Sequence, residues 1–253
     1  MTSIKKCVVA SLLLCWCAVI PASAVTYDSE TLNYEIVYEW GLVWKHAANA
    51  SLSIKKHGNG YTAQLVGVTR SWADKVYRVR DTLRCTMDNE LRPLKYEKYT
   101  HEGRYYARDF VNYSYSLGRT KAKCLRQRPD KPEIADASIE LEARAQAYDM
   151  VSVFYMLRNL DYAKMTRGSI VSSIIFSGSQ KEYLTITYHG LDKVKLRNKV
   201  KHDAHKVTFR FTQEGGKKSS ENIEVWLSTD NRHTPLLLKG TLSVGAIKCY
   251  YKQ

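Results

Sequence analysis

Five cations stand at every second position in one short stretch of this 253-residue sequence: Lys193, Lys195, Arg197, Lys199 and Lys201, with Val194, Leu196, Asn198 and Val200 between them. Successive side chains of an extended strand point to opposite faces, so as a strand this stretch would gather all five charges on one face. Such a field attracts polyanions, and Lys195, Arg197 and Lys199 at its centre are the expected anion contacts. A second basic cluster, Arg119, Lys121, Lys123, Arg126, Arg128 and Lys131, follows a run rich in tyrosine. The chain has 18 Tyr, with Tyr96, Tyr99, Tyr105, Tyr106, Tyr113 and Tyr115 crowded into two consecutive candidate strands. An aromatic ring offers a flat apolar face with a polar handle, so Tyr113, Tyr115 and Trp226 are the expected stacking residues of a ligand site. Both patterns also have a plain structural reading. Lysines on an exposed sheet blunt aggregation, and strands are enriched in aromatics whatever their function.

Catalytic patterns are missing from the same sequence. It has no G-x-S-x-G elbow, no glycine-rich phosphate loop and no H-E-x-x-H helix. His202-Asp203-Ala204-His205 has H-x-x-H spacing, but it lies between Lys201 and Lys206, where a second cation is disfavoured, and it reads as a solvated turn. Glu97, Glu102 and Asp109 could face each other across adjacent strands, yet nothing marks them as a glycosidase pair. No metal site and no cofactor are expected, and catalytic residues are not identifiable.

The elements that must carry these residues show mainly a period of two. Tyr34, Ile36, Tyr38 and Trp40 alternate with Glu35, Val37 and Glu39, Gly41 interrupts, and a second run ends at His57-Gly58-Asn59-Gly60, with Asn59-Gly60 as a hairpin turn. Similar runs follow over Tyr61 to Thr69, Val76 to Met87, Leu94 to His101, Tyr105 to Leu117, Ser169 to Phe176, Tyr183 to His189, Lys193 to Lys201, Lys206 to Thr212, Ile223 to Ser228, Leu236 to Val244 and Ala246 to Tyr251. Gly215-Gly216 is a further hairpin candidate. The intervals are mostly turn-length, too short for parallel crossovers, so the fold class is mainly β: a large antiparallel, curved sheet, either a partly open barrel or a sandwich. One segment differs. Met150, Val153, Phe154 and Leu157 recur at helical spacing behind Asp149, which predicts a helix near 149–160 packed on the sheet. Pro129 and Pro132 make 126–137 a loop between two β-rich halves of one domain, residues 25–253. Ser228-Thr229-Asp230-Asn231 should form a turn capped by side chains, with Pro235 opening the next strand.

The string from Tyr148 to Arg158, the later Gly168, the string from Val225 to Leu236 and the tail Leu242 to Lys248 resemble the domain-of-unknown-function 3108 family of exported Gram-negative proteins. The resemblance covers roughly Leu32 to the C-terminus. It implies a periplasmic, largely β-sheet protein and implies no reaction, ligand or catalytic residue.

Residues 1–24 read as an address. Lys5 and Lys6 precede the apolar run Cys7 to Ile20, and Ala22-Ser23-Ala24 is a small-residue cleavage pattern, so the expected location is the periplasm after removal of a signal peptide. The run is shorter than the roughly 20 residues a spanning helix needs. Processing would leave 37 basic against 25 acidic residues, a net charge of +12, and Cys85, Cys124 and Cys249. Three cysteines allow either one disulfide and a free thiol or three buried thiols, the second being the simpler reading. In that compartment a basic protein meets anionic lipid or acidic glycan, with peripheral membrane contact, rather than nucleic acid, for which no recognition module is present. Oligomeric state is not legible. The composition therefore favours a non-catalytic binding or envelope-assembly protein for an amphiphilic or anionic ligand. The alternatives are a periplasmic hydrolase using carboxylates or His, and a structural subunit of an envelope complex.

Overall fold

The computed structural model describes residues 26–41, 43–213, 222–242 and 245–253. The expected signal peptide, the Gly215-Gly216 turn and Ser243-Val244 lie outside the described residues. Fifteen strands form one sheet: β1 (Ser29–Trp40), β2 (Val43–His57), β3 (Gly60–Thr69), β4 (Arg80–Asp88), β5 (Pro93–Glu102), β6 (Tyr105–Ser116), β7 (Arg119–Gln127), β8 (Ala137–Ala143), β9 (Ala147–Tyr148), β10 (Ile170–Phe176), β11 (Lys181–Lys195), β12 (Lys201–Gln213), β13 (Ile223–Ser228), β14 (Pro235–Thr241) and β15 (Ala246–Lys252). Two helices interrupt them, the short α1 (Ser71–Asp74) and α2 (Ser152–Arg158).

The order across the sheet is β8-β7-β6-β5-β4-β3-β2-β1-β15-β14-β13-β12-β11-β10-β9. Every neighbouring pair is antiparallel except β9 with β10. Most consecutive strands pair as antiparallel neighbours, with α1 inserted between β3 and β4 and α2 between the parallel β9 and β10, and β1 pairs with β15, so the first and last strands meet in the middle of the sheet. Residues 144–146 then carry the chain from one sheet edge, β8, to the other, β9. Side chains rather than ladder hydrogen bonds hold these edges together. Tyr113 of β6 stacks on Phe176 of β10 at 5.9 Å, and the Thr120 hydroxyl of β7 donates to the Ala145 carbonyl and accepts from the Ala147 N–H. The result is a nearly closed barrel.

The inner face follows the pleat. Ala107, Val111 and Tyr113 of β6 are buried and their neighbours are not, and the same alternation sends Leu32 and Tyr34, Leu52 and Ile54, and Cys85 and Met87 inward. Helix α2 fills the middle of the barrel: Val151 and Tyr155 pack on the N-terminal strands, and Val153 and Leu157 pack on Leu184, Ile186, Val207 and Val225 of the C-terminal strands. The helix starts at Ser152 with Val151 as its N-cap, and Asp149 holds the turn that leads into it. The fully buried carboxylate accepts the N–H groups of Val151 (2.7 Å) and Ser152 (2.9 Å) and the Ser152 hydroxyl (2.9 Å), while the Cys85 thiol donates to it at 2.9 Å. Burial pushes both the Asp149 carboxyl and the Cys85 thiol above their ordinary pKa ranges. Among the described residues the three cysteines are free, Cys85 and Cys124 buried as the simpler reading had it and Cys249 partly buried.

Three sequence expectations are corrected. The run Lys193 to Lys201 is not one strand: β11 ends at Lys195, which pairs with Lys201, and 196–200 turn between them. Lys199 takes a positive φ of 67° there, and the Asn198 carboxamide oxygen accepts the Val200 N–H. The five cations therefore do not share a strand face. His202 and His205 lie within β12, on opposite faces, rather than in a solvated turn. The β2–β3 turn is Gly58-Asn59, with Gly58 at a positive φ of 50° and His57 paired to Gly60, which lies in β3 where a Cβ would stand 2.1 Å from the Met87 carbonyl oxygen of β4. Beyond them, Ile139 to Ala143 extend along β7 within β8.

Candidate functional site

The inner face is not filled everywhere. Tyr34 of β1 pairs with Ala50 of β2, Ala50 with Gly67 of β3, and Gly67 with Asp81 of β4. Alanine and glycine thus lie side by side in one row of the sheet, with Leu52 and Leu65 in the same-face row on one side and Ala48 and Thr69 on the other. The missing side-chain volume leaves a cavity of about 290 Å³ lined by Ile36, Leu52, Leu65, Leu83, Leu238 and Cys249, together with Phe154 of α2 and the row itself. That is the low end of the ~300–1,000 Å³ usual for ligand pockets. The lining is almost entirely apolar, and burial pushes the Cys249 thiol up to about 11, so it stays protonated and behaves as an apolar group.

Register fixes where the cavity opens. On one side of it, Ile54, Tyr61, Ala63, Cys85, Met87 and Tyr155 form continuous core. On the other, β1, β3 and β14 run out to their C-terminal ends and β2, β4 and β15 begin, so Val79 and Asp81 stand at the rim. Glu102 at the end of β5 packs against Asp81 there; the Tyr77 hydroxyl donates to its Oε2 at 3.3 Å, and Asp81 Oδ1 accepts the His101 N–H at 2.9 Å. Burial, and then the adjacent Asp81, push the Glu102 carboxyl above its ordinary range. A carboxyl whose folded pKa is raised favours the folded state below its unfolded pKa and loses that contribution as pH rises through the folded value. Glu102→Gln, a mimic of the protonated acid, should therefore match the parent protein near pH 3.5 and melt about 2 °C higher at pH 7. Thermal unfolding across that window checks it, and a pH-independent difference would assign the change to packing instead.

A second, polar cleft of about 840 Å³ lies at the other end of the barrel, lined by Arg158, Asp161, Tyr162, His205, Arg232 and His233 among others. The His205 ring stacks on Tyr162 at 4.7 Å, and His233 meets the same ring edge-on at 4.8 Å. His233 Nδ1 donates to the Arg158 carbonyl oxygen at 2.7 Å, and His205 Nδ1 is 2.9 Å from the Tyr188 hydroxyl. Burial, reinforced by His233, holds the His205 pKa below its usual value. The two imidazoles have no third ligand: among the described residues no cluster of three His, Cys, Asp or Glu could hold a metal ion. Sequence reading weighed His205 only with His202; its spatial neighbour is His233, brought in by the turn from Ser228 to Thr234. That turn is capped as expected, with Asp230 accepting the Ser228 hydroxyl and the Arg232 N–H.

The structure separates the six residues that sequence marked for ligand contact. Lys195, Arg197 and Lys199 sit on the β11–β12 hairpin, where Arg197 lies 3.7 Å from Glu35. Trp226 is buried on the outer sheet face with Val37, Val194, Leu196, Leu237 and Tyr250; its indole N–H donates to Asp192 at 2.9 Å and Lys206 covers its ring. Tyr113 is inside the barrel against Phe176, and the Tyr115 hydroxyl donates to the Pro93 carbonyl at 2.6 Å. None of the six lines the apolar cavity.

The fold is shared with a protein of known structure. The chain is similar to the crystal structure of a β-barrel-like protein of domain of unknown function DUF1849 from Brucella abortus, with a TM-score of 0.62 at 12% identity, covering 91% of this chain and 98% of that one. At that identity the likeness speaks for the fold alone. No curated protein matches the sequence. The sequence does match the family described as "Protein of unknown function (DUF3108)" over residues 33–252, and with nearly its whole length inside that match the chain belongs to this family.

Proposed function

We propose that this is a non-catalytic binding protein of the bacterial envelope that takes the apolar portion of an amphiphile into the barrel. The carrying observation is the cavity between Ala50, Gly67 and Phe154: apolar, open at one end of the barrel, and walled by a sheet whose register makes the void. Its volume suits a short acyl chain or a single ring system rather than a whole lipid. The polar end of such a ligand would rest at the rim, near Asp81 and the basic side chains around it. Apolar burial supplies affinity roughly in proportion to area, about 25 cal/mol per Å², so a chain that fits would bind without any charged contact inside. The export address read in residues 1–24 and the net positive charge of the chain belong to the same proposal, since a basic protein in that compartment attracts anionic amphiphiles.

The experiment is native mass spectrometry of the protein purified from a Gram-negative periplasm, followed by denaturing extraction, and titration of the delipidated protein with a fluorescent fatty acid of about ten carbons. A stoichiometric amphiphile, or saturable uptake of the probe with one site per chain, is the expected result. A clean apo mass together with no probe uptake would overturn the proposal.

A further inference from the structure

The end of the barrel at which the cavity opens carries an unusual rim. Trp40 and Trp44, 59% and 50% exposed, flank the tip of the β1–β2 hairpin; Val76 (81%) and Tyr77 (53%) protrude from the segment after α1; and Leu242 (42%) follows β14. Contacts place them all at one end. Trp72 of α1 donates its indole N–H to the His46 carbonyl, Lys45 lies over the Trp72 ring at 3.9 Å, Lys248 lies over Trp44 at 4.3 Å, and the Gly103 N–H of the β5–β6 turn donates to the Arg78 carbonyl. Cations are interleaved with these apolar groups. Lys45, Lys75, Arg78 and Arg104 are exposed and make no ion pair among the described residues, whereas Asp74 is paired with Arg80 and Glu39 with Lys248; Asp81 and Glu102 at the mouth have no ion pair among the described residues and accept instead from the His101 N–H and the Tyr77 hydroxyl.

Resting on the binding function proposed above, we infer that this rim is a docking surface for an anionic lipid bilayer, against which the cavity mouth is set so that an acyl chain can pass between leaflet and barrel. Three observations favour a bilayer over a protein partner. Exposed tryptophan and tyrosine on projecting turns are the side chains that settle at the lipid headgroup level, with apolar ring bodies and a polar N–H or O–H. Unpaired lysine and arginine among them supply the attraction to anionic headgroups. The rim also surrounds an apolar opening rather than a flat, complementary face. A bilayer serves the cavity in a further way: with Trp40, Trp44 and Val76 in the interface, water is excluded from the mouth while a chain moves.

The test is co-sedimentation of the purified protein with vesicles of phosphatidylglycerol and phosphatidylcholine, compared with phosphatidylcholine alone. Binding should require phosphatidylglycerol and weaken as salt is raised. The double substitution W40S/W44S should reduce vesicle affinity at least about tenfold, and K45E/K75E/R78E should abolish the preference for anionic vesicles. Both variants change exposed positions outside the cavity, so melting temperature and uptake of detergent-dispersed fatty-acid probe should match the parent. Failure of the parent protein to sediment with anionic vesicles, or unaltered sedimentation of W40S/W44S, overturns the docking surface while leaving probe uptake intact. Loss of probe uptake in the parent protein would instead remove the cavity function. A protein or a second copy as the true occupant would appear as concentration-dependent association in sedimentation velocity without vesicle binding, which also overturns the inference.

Discussion

Replacing Arg158 by Met should lower the stability of the barrel by about 3–5 kcal/mol, a fall of about 10 °C in melting temperature. Arg158 is fully buried at the C-terminus of α2 and forms a two-pronged ion pair with Glu30 of β1 at 2.6 and 3.0 Å, while its Nε donates to the Arg232 carbonyl at 2.9 Å. The rings of Tyr27 and Tyr155 lie 5.0 and 5.7 Å from its guanidinium carbon. The pair ties the helix inside the barrel to a central strand of its wall. Removing one member strands a carboxylate whose side chain is only 8% exposed, and the cost of that orphaned charge exceeds the worth of the contact itself. Arg232, 3.4 Å from Glu30, softens the loss without matching it, since it approaches through one nitrogen from the surface. Replacing both partners, Glu30→Leu with Arg158→Met, removes the orphan and should recover about half of the stability lost by Arg158→Met alone. Urea denaturation of the three variants measures this. A double variant as unstable as the sum of the single ones would show that Glu30 and Arg158 act separately, through packing.

The strands that alternate cleanly in sequence were legible because an antiparallel sheet with one buried face writes its pleat into residue type. The helix was legible too: Met150, Val153, Phe154 and Leu157 keep a 3.6-residue period, and Asp149 marks the turn that leads into it. What was misread shows where local pattern stops carrying information. From Lys193 to Lys201 aliphatic and basic residues alternate as in a strand, yet Leu196 keeps its burial by packing on Val194, Trp226 and Leu237 from a turn, a tertiary contact that no window of nine residues contains. The placement of the aromatic ligand candidates was hidden in the same way. Tyr113 and Trp226 are buried on opposite faces of one sheet, and only the strand order reveals it. The cavity was invisible for a related reason. It arises because Ala50 and Gly67 fall in register, on strands whose pairing is set by the whole hairpin, and neither residue is distinctive alone. Arg158 and Glu30 are 128 positions apart, so their pairing leaves no local trace.

Gly67 offers the sharpest separation between a void that is merely unfilled and one that holds a ligand. A Cβ built on Gly67 meets no atom within 4 Å, and its backbone is not in the left-handed region that only glycine tolerates. A larger side chain there projects into the cavity and needs no backbone shift. Gly67→Leu should therefore raise stability by about 1–2 kcal/mol, combining the removal of a flexible glycine from a strand with burial of new apolar surface. A protein selected for stability alone would gain from that substitution, so its glycine has a reason only if the space is used. The same leucine should weaken uptake of the fatty-acid probe at least about tenfold, because it occupies the volume a chain would take. Stability and binding would then move in opposite directions from one residue, which neither misfolding nor loss of a surface charge can produce. Unchanged probe affinity in a stabilised Gly67→Leu protein would show that amphiphiles bind elsewhere, and a destabilised variant would show that the row through Ala50 and Gly67 is already closely packed.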